Sequence, residues 1–413
     1  MIGSYFYSKI VNNKMNVCEI CLKSFDRKAG LTQHMKKKVP CKPPALQQPP
    51  VATTDLQNTA VSLFSGCGGD TLGLENAGFK VIAFSELKST FASTHLENFP
   101  ESVYIMDSKG KTGDITKIED AQFHPYRGKT DIIFAGFPCQ GFSHAGKKSS
   151  ADPRNQLYQQ FVRATKEIRP LFVIGENVQG LERMKSGPNP TDPMMIDCIK
   201  TAFEAIGYTL TYKLQEVTAF GVPQKRKRVV IVGWDTSRIK NFQPTKFWTS
   251  LAQLGASKVM PTVRSFVTNT MEGAYLIAPE FVPEGFETYA LPVAQNAKPT
   301  GTPHPYVVLK TDSDLLSCTK RDSAIHSEII NLDAPTKTII CTYGHQPRLL
   351  IGLRKPDGTA YARTMLPDEL KQVQGFPASY KLKGKIGEQV IQIGNAVPPP
   401  MIECVAKILR EFT

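Results

Sequence analysis

Residues 59–86 read TAVSLFSGCGGDTLGLENAGFKVIAFSE, two apolar runs (60–64 and 80–85) enclosing a glycine-rich turn and a helical stretch. Continuous apolar runs of this length suit strands buried on both faces of a parallel sheet. Three more follow, at 131–135, 171–175 and 229–233. Between them the period turns helical. Leu157, Phe161, Ala164 and Ile168 fall on one helix face, which stops at Arg169-Pro170. Strands alternating with helices predict a doubly wound, Rossmann-like α/β domain. Further helices are expected over 366–373 and 396–409.

The chain has 413 residues, of which 41% are apolar and 21% charged, so wholesale disorder is excluded and two or three domains are expected. Fifty basic and 37 acidic residues give a net charge of +13, which points to a polyanionic partner, nucleic acid first. The excess is uneven: residues 1–50 hold nine Lys/Arg against two Asp/Glu, a net of +7. No run of 18 apolar residues is present, so no transmembrane helix is expected. Nine scattered cysteines are too few for a disulfide scaffold and suit an intracellular, reducing compartment.

The composition divides the chain. Residues 1–16 read as irregular, 17–42 as a compact Cys/His cluster and 43–58 as a proline-rich linker. The α/β domain is expected over 59–234. Residues 235–333, rich in Pro, Thr and Ser, read as a smaller irregular module containing β-structure. Residues 334–413 read as a return to the first domain.

Four places carry candidate chemistry. In the loop Phe64-Ser65-Gly66-Cys67-Gly68-Gly69, glycines between a strand and a helix let the backbone approach a ligand. Glu86 ends the next strand, where a carboxylate can accept hydrogen bonds from a ribose diol; a tight turn with a helix cap is the plainer alternative. Cys139, in Gly136-Phe137-Pro138-Cys139-Gln140, follows the third strand at the ligand-binding edge of the sheet. It is a candidate nucleophile there, although most lone cysteines are small buried apolar residues. Glu176 ends the fourth strand, a costly place for a carboxylate unless it is paired or functional. Gln224, Arg226 and Arg228 alternate ahead of the fifth strand and can share a face, whereas Lys225 and Lys227 read as solvated.

Together these motifs resemble the cytosine-C5 DNA methyltransferase family, over residues 59–233 and roughly 334–410. The closing segments Gln374-Gly375-Phe376-Pro377 and Gly394-Asn395-Ala396-Val397-Pro398 complete the set, in family order. The resemblance implies a DNA (cytosine-5)-methyltransferase, a class that includes restriction-modification enzymes, using S-adenosylmethionine on double-stranded DNA. Cofactor contacts are implied at Phe64, Gly66, Gly68, Gly69, Glu86, Asp114, Ile115, Pro138, Leu157, Asn395 and Val397. Cys139, Glu176, Arg226 and Arg228 are implied as catalytic. Residues 235–333 take the place of the family's target-recognition domain, and Ala334-Pro335-Thr336-Lys337-Thr338 resembles its ninth motif loosely. A monomer of prokaryotic or viral origin, associated with DNA inside the cell, is the expectation. The alternatives are a tRNA cytosine-5 methyltransferase, whose Cys-Phe-Thr tripeptide is absent here, and a zinc-finger DNA-binding protein with a vestigial enzyme domain.

The N-terminal cluster, Cys18-x2-Cys21-x12-His34-x6-Cys41, has metal-ligand spacing. Phe25, Leu31 and His34 fall where a ββα zinc finger places its small core and first helical ligand. The last ligand departs from the usual pair of histidines. A structural Zn²⁺ in a C2HC set is expected, with the finger as an auxiliary contact to DNA or, second, to a docked protein.

Overall fold

The computed structural model describes residues 16–17, 24–25, 58–138, 156–282, 284–302, 307–309, 316–318, 328–344, 347 and 349–413. The chain divides into two units, Met1–Leu56 and Gln57–Thr413. In the first, strands Asn16–Val17 and Ser24–Phe25 pair antiparallel. The expected zinc ligands Cys18, Cys21, His34 and Cys41 lie outside the described residues.

The second unit is built on a seven-stranded sheet. Its strands are β1 (Thr59–Leu63), β2 (Lys80–Phe84), β3 (Val103–Tyr104), β4 (Ile132–Ala135), β5 (Phe172–Val178), β6 (Tyr208–Glu216) and β7 (Lys227–Asp235), in the order β3-β2-β1-β4-β5-β7-β6. The first five run parallel. Helices cover both faces, which explains why β1, β4 and β5 are buried along nearly their whole length. On one side, α1 (Gly69–Asn76), α5 (Pro244–Ala256) and α8 (Pro399–Leu409) pack through Leu74, Leu251, Met401, Ile402 and Val405. On the other, α3 (Tyr158–Ile168) and α4 (Met195–Glu204) pack through Phe161, Ala164, Ile168, Ile199 and Phe203. Helix α2 is Ser89–Asn98.

The sequence expectation differs from the structure at two elements. The run 229–233 was expected in a parallel sheet, but β7 is antiparallel to both β5 and β6. Only residues 217–226 join β6 to β7, too short a connection for the helical crossover that a parallel neighbour needs. The helix expected over 396–409 begins at Pro399. Ala396 and Pro398 are extended, with ψ of 143° and 117°; Pro398 precedes Pro399, and a residue before proline is driven out of the helical region. The preceding residues form a separate helix, α7 (Ile386–Asn395).

A second sheet joins β8 (Tyr275–Leu276), β9 (Leu291–Pro292), β10 (Glu328–Ile329), β11 (Leu349–Arg354) and β12 (Ala360–Thr364). Its order is β8-β12-β11-β9, with β10 also paired to β11. This sheet takes strands from both sides of residue 334, where the sequence reading placed the end of the irregular module. It is tied to α6 (Pro367–Val373) by a fully buried ion pair. Arg363 donates to both carboxylate oxygens of Glu369, at 2.8 and 2.6 Å, and to the carbonyls of Thr268 and Thr270, at 2.6 and 3.1 Å. Glu369 also accepts from the main-chain N–H groups of Thr268 and Leu366, at 2.9 Å each. Segments 268–270 and 363–369 therefore meet at one pair of charges.

Breaking a buried pair strands its partner without compensation, so Glu369→Ala is expected to cost about 3–5 kcal/mol of stability in urea unfolding followed by circular dichroism. The apolar double substitution Arg363→Met/Glu369→Leu is expected to cost less than that single change.

Candidate active site

The glycine loop sits at the carboxyl end of β1. Phe64 has φ of 55° and Gly66 and Gly68 have φ of 56° and 85°. The left-handed region is open to glycine but costs energy for phenylalanine, which marks the turn as held by its surroundings. The three glycines serve different ends. A Cβ on Gly69 would stand 2.3 Å from the Val397 carbonyl oxygen, and one on Gly68 2.9 Å from both Phe99 and the Tyr380 hydroxyl. One on Gly66 would meet nothing within 4 Å. Two glycines thus admit protein packing behind the loop, and the third faces open space, as a ligand-receiving turn requires.

Glu86 holds this turn from the tip of β2. Its carboxylate accepts from the Gly66 N–H at 2.9 Å and the Lys88 N–H at 2.8 Å. Burial pushes the carboxyl pKa up, against those two N–H donors, which favour the charged form. Asp70, in the first turn of α1, is buried and pushed up to about 7 by desolvation, against the Ser62 hydroxyl that it accepts from. The exposed apolar side chain of Leu87 lies next in sequence to Glu86.

Asp114 and Ile115 occupy the turn after β3. The Asp114 carboxylate accepts from the Thr116 N–H at 3.1 Å and hydroxyl at 2.7 Å. Gly113 lies so close to β2 that a Cβ would come within 2.4 Å of the Glu86 carbonyl oxygen. Tyr104 donates to that same carbonyl at 2.7 Å, so one side chain steadies both acidic segments. Ile115 is buried in the core.

Glu176 and Arg228 meet at one edge of the sheet. Register pairs Val230 with Glu176 and Arg228 with Val178 across the antiparallel β5–β7 pair. Arg228 Nε lies 2.7 Å from Glu176 Oε1, and both side chains are nearly buried. Burial pushes the Arg228 guanidinium pKa down and Glu176 draws it back up, so each charge is the other's compensation. Asn177 donates to the Phe137 carbonyl at 3.1 Å, fixing the chain just before Pro138. A Cβ on Gly136 would stand 3.9 Å from Glu176 Oε2, so the entry to the Pro-Cys loop borders the carboxylate. Pro138 and Leu157 are both half-buried; Cys139 lies outside the described residues.

Arg226 has a different setting from Arg228. Fully buried, it donates to the carbonyls of Ile339 at 3.0 Å, Gly394 at 3.1 and 3.2 Å and Ala396 at 3.0 Å. Burial lowers its pKa, and the carbonyls supply the compensation an enclosed guanidinium needs. Gln224 donates to Gln374 at 2.6 Å, and Gln374 to the Ala396 carbonyl at 2.7 Å. Of the three residues expected to point together, Gln224 and Arg226 join the closing segment and Arg228 joins Glu176. Asn395 is exposed at the end of α7, and Val397 is buried against Gly69.

Sequence reasoning did not single out Asn177, Tyr104 or Tyr380 as site residues. Tyr380 donates to the Cys67 carbonyl and packs on Phe376, its ring centroid 4.7 Å away. Its only sequence signal is its place three residues after Pro377. Among the described residues no group of His, Cys, Asp and Glu could hold a metal ion, and no helix is long and apolar enough to cross a membrane.

Comparison with known proteins agrees with this geometry. The family of C-5 cytosine-specific DNA methylases matches residues 58–411. Type II methyltransferase M1.HphI of Haemophilus parahaemolyticus is 29% identical over 368 residues, 86% of this chain and 87% of its own. Type II methyltransferase M.BsuFI of Bacillus subtilis is 28% identical over 354 residues, 86% of this chain and 72% of its own. Among solved structures, the S. pombe Dnmt2 methyltransferase superposes with a TM-score of 0.57 at 14% identity, covering 86% of this chain and 98% of that one, a likeness of fold. The chain belongs to the C-5 cytosine-specific DNA methylase family and is a DNA cytosine-5 methyltransferase that uses S-adenosylmethionine.

Proposed function

We propose that the enzyme acts on a cytosine flipped out of double-stranded DNA, through a transient bond between the Cys139 sulfur and C6 of the base. The observation that carries this reading is the Glu176–Arg228 pair beside the start of the Pro-Cys loop. Cytosine C5 is a weak nucleophile. Addition of the thiolate to C6 moves the C5–C6 electron pair onto C5 and makes that carbon enamine-like. Glu176 is suited to hydrogen-bond N3 and the exocyclic amine, stabilising charge as sulfur adds. Arg228, already aimed at Glu176, is suited to O2, where negative charge develops. When bound, S-adenosylmethionine supplies a methyl group made electrophilic by its sulfonium. A base then removes the C5 proton, the S–C6 bond breaks, and Cys139 leaves as the thiolate.

For the cofactor, the open face of Gly66 and the fixed carboxylate of Glu86 support a ribose and methionine site. Asp114 and Ile115 support an adenine pocket, and Leu87 offers it an apolar cover. Pro138, Leu157, Asn395 and Val397 remain proposed contacts. Phe64, Gly68 and Gly69 complete the loop. Arg226 is assigned a positioning role, supported by its four contacts to main-chain oxygens. The basic surface and the second sheet are proposed to hold the duplex while the base is extruded, a step costing a few kcal/mol.

We further propose that Cys18, Cys21, His34 and Cys41 bind one structural Zn²⁺, with the finger as an added grip on DNA or on a docked protein. The support is the ligand spacing, together with the two strands that flank Cys18 and Cys21, as the ββ part of a finger would.

Bisulfite sequencing of plasmid from expressing cells is expected to show protected cytosines in one recurring context with the intact enzyme and none with Cys139→Ser. Protection that survives Cys139→Ser removes the covalent mechanism. Glu176→Gln is expected to lower kcat on the order of 10²–10⁴-fold while the protein still binds S-adenosylhomocysteine. Elemental analysis of the purified full chain is expected to give one zinc per molecule, lost in the Cys18→Ser/Cys21→Ser variant.

A further inference from the structure

We infer that Arg163 is a positioning residue for the adenine side of the cofactor pocket, acting through the Ile115 carbonyl; the inference rests on the cofactor reading above. Arg163 belongs to α3, the helix that follows the Pro-Cys loop. Its guanidinium reaches 48 residues back along the chain. Nη2 donates to the Ile115 carbonyl oxygen at 2.7 Å, and Nη1 to Asp120 Oδ1 at 2.5 Å. Nε donates to Gln160 Oε1 at 2.8 Å, and the guanidinium carbon lies 5.3 Å from the centre of the Phe123 ring.

The target of Nη2 gives the contact its meaning. The turn that begins at Asp114 is closed by the Lys117 N–H at 2.8 Å and the Ile118 N–H at 3.2 Å, both donating to the Asp114 carbonyl. That leaves the next carbonyl, of Ile115, to be held by Arg163. The same turn is also pressed against the tip of β2 and against β3, where Gly113 meets the Glu86 carbonyl and the Tyr104 ring. The Asp114 carboxylate therefore stands between two supports, one on β2 and one on α3. A planar guanidinium whose Nε and Nη1 are already committed delivers Nη2 in a fixed direction, which a flexible ammonium does not reproduce. Asp120 and Gln160 aim the guanidinium, and Phe123 limits its tilt. The hydrogen bond that this guanidinium makes to residues 113–116 goes to the Ile115 carbonyl, so its effect on the pocket is routed through that one group. Arg163 belongs to the helix capped by Leu157, a proposed cofactor contact.

A residue that only stabilises the fold would lower the active fraction, reducing kcat and leaving KM alone. A positioning residue moves KM for the cofactor. Arg163→Gln is expected to raise KM for S-adenosylmethionine and Kd for S-adenosylhomocysteine about tenfold, the loss of one charged hydrogen bond, with kcat and KM for DNA within about twofold. Arg163→Lys is expected to recover only part of the affinity. Asp120→Asn removes the charge but keeps an acceptor oxygen for Nη1, and is expected to stay within about threefold of the parent. Calorimetric titration of S-adenosylhomocysteine into each full-length protein reads these values without turnover. Failure of the parent to bind would sink the cofactor reading itself. A parent that binds, with Arg163→Gln binding equally well or losing kcat at unchanged affinity, would overturn the assignment of the Ile115 contact.

Discussion

One buried cation holds the two ends of the catalytic unit together. Among the described residues Arg226 has no carboxylate partner; it donates to the main-chain oxygens of residues 339, 394 and 396. A guanidinium in that position costs desolvation that only closely placed acceptors offset. Residues 394–396 must therefore lie beside β7, and Gln374 repeats the demand through the same Ala396 carbonyl. With that segment fixed, the Val397 carbonyl is held against Gly69, and α8 packs on α1. The shape of the glycine loop thus depends on residues some 330 positions away in sequence, and its open face at Gly66 is what remains after the other sides are filled.

The parts of this arrangement legible in the sequence are those set by local rules. All five apolar runs are strands of the main sheet, four of them parallel, because burial on both faces leaves no polar alternation. Phe161, Ala164 and Ile168 were buried as their spacing required. Strand β6 was overlooked although its Tyr208, Leu210, Tyr212 and Leu214 alternate with Thr209, Thr211, Lys213 and Gln215, the mark of a strand at a sheet edge. The direction of β7 was misread because an apolar run says nothing about its orientation; the length of the preceding connection does. Residues 396–398 were read as helix on hydrophobic pattern, and the proline run overrode it.

The division of labour between Arg226 and Arg228 could not have been read from alternation alone. Gln224 and Arg226 lie within the connection 217–226, where Gln224–Lys225 pairs with Thr336–Lys337 outside the main sheet, and the Arg226 N–H bonds to the Gln224 carbonyl at 3.0 Å. Arg228 lies inside the ladder. Alternation predicts a shared face only within continuous strand geometry. The same limit applies to the second sheet, whose short strands gave no clear period. Its cohesion comes from Arg363 and Glu369, two charges whose pairing spans chain segments 268–270 and 363–369.

The antiparallel setting of β7 has a consequence for how such a chain can vary. Parallel neighbours bring like ends to one edge, so a residue ending β5 meets the start of β7 only because β7 runs the other way. Seven consecutive residue pairs of the ladder, from Arg228–Val178 to Trp234–Phe172, fix that meeting. The connection 186–193, closed by the bridge between Lys185 and Met194, could lengthen or shorten without moving Glu176 relative to Arg228. A single residue inserted within either strand would turn one of the two side chains to the far face of the sheet. Tolerance to insertion is therefore sharply partitioned here, wide in the connection and absent in the ladder.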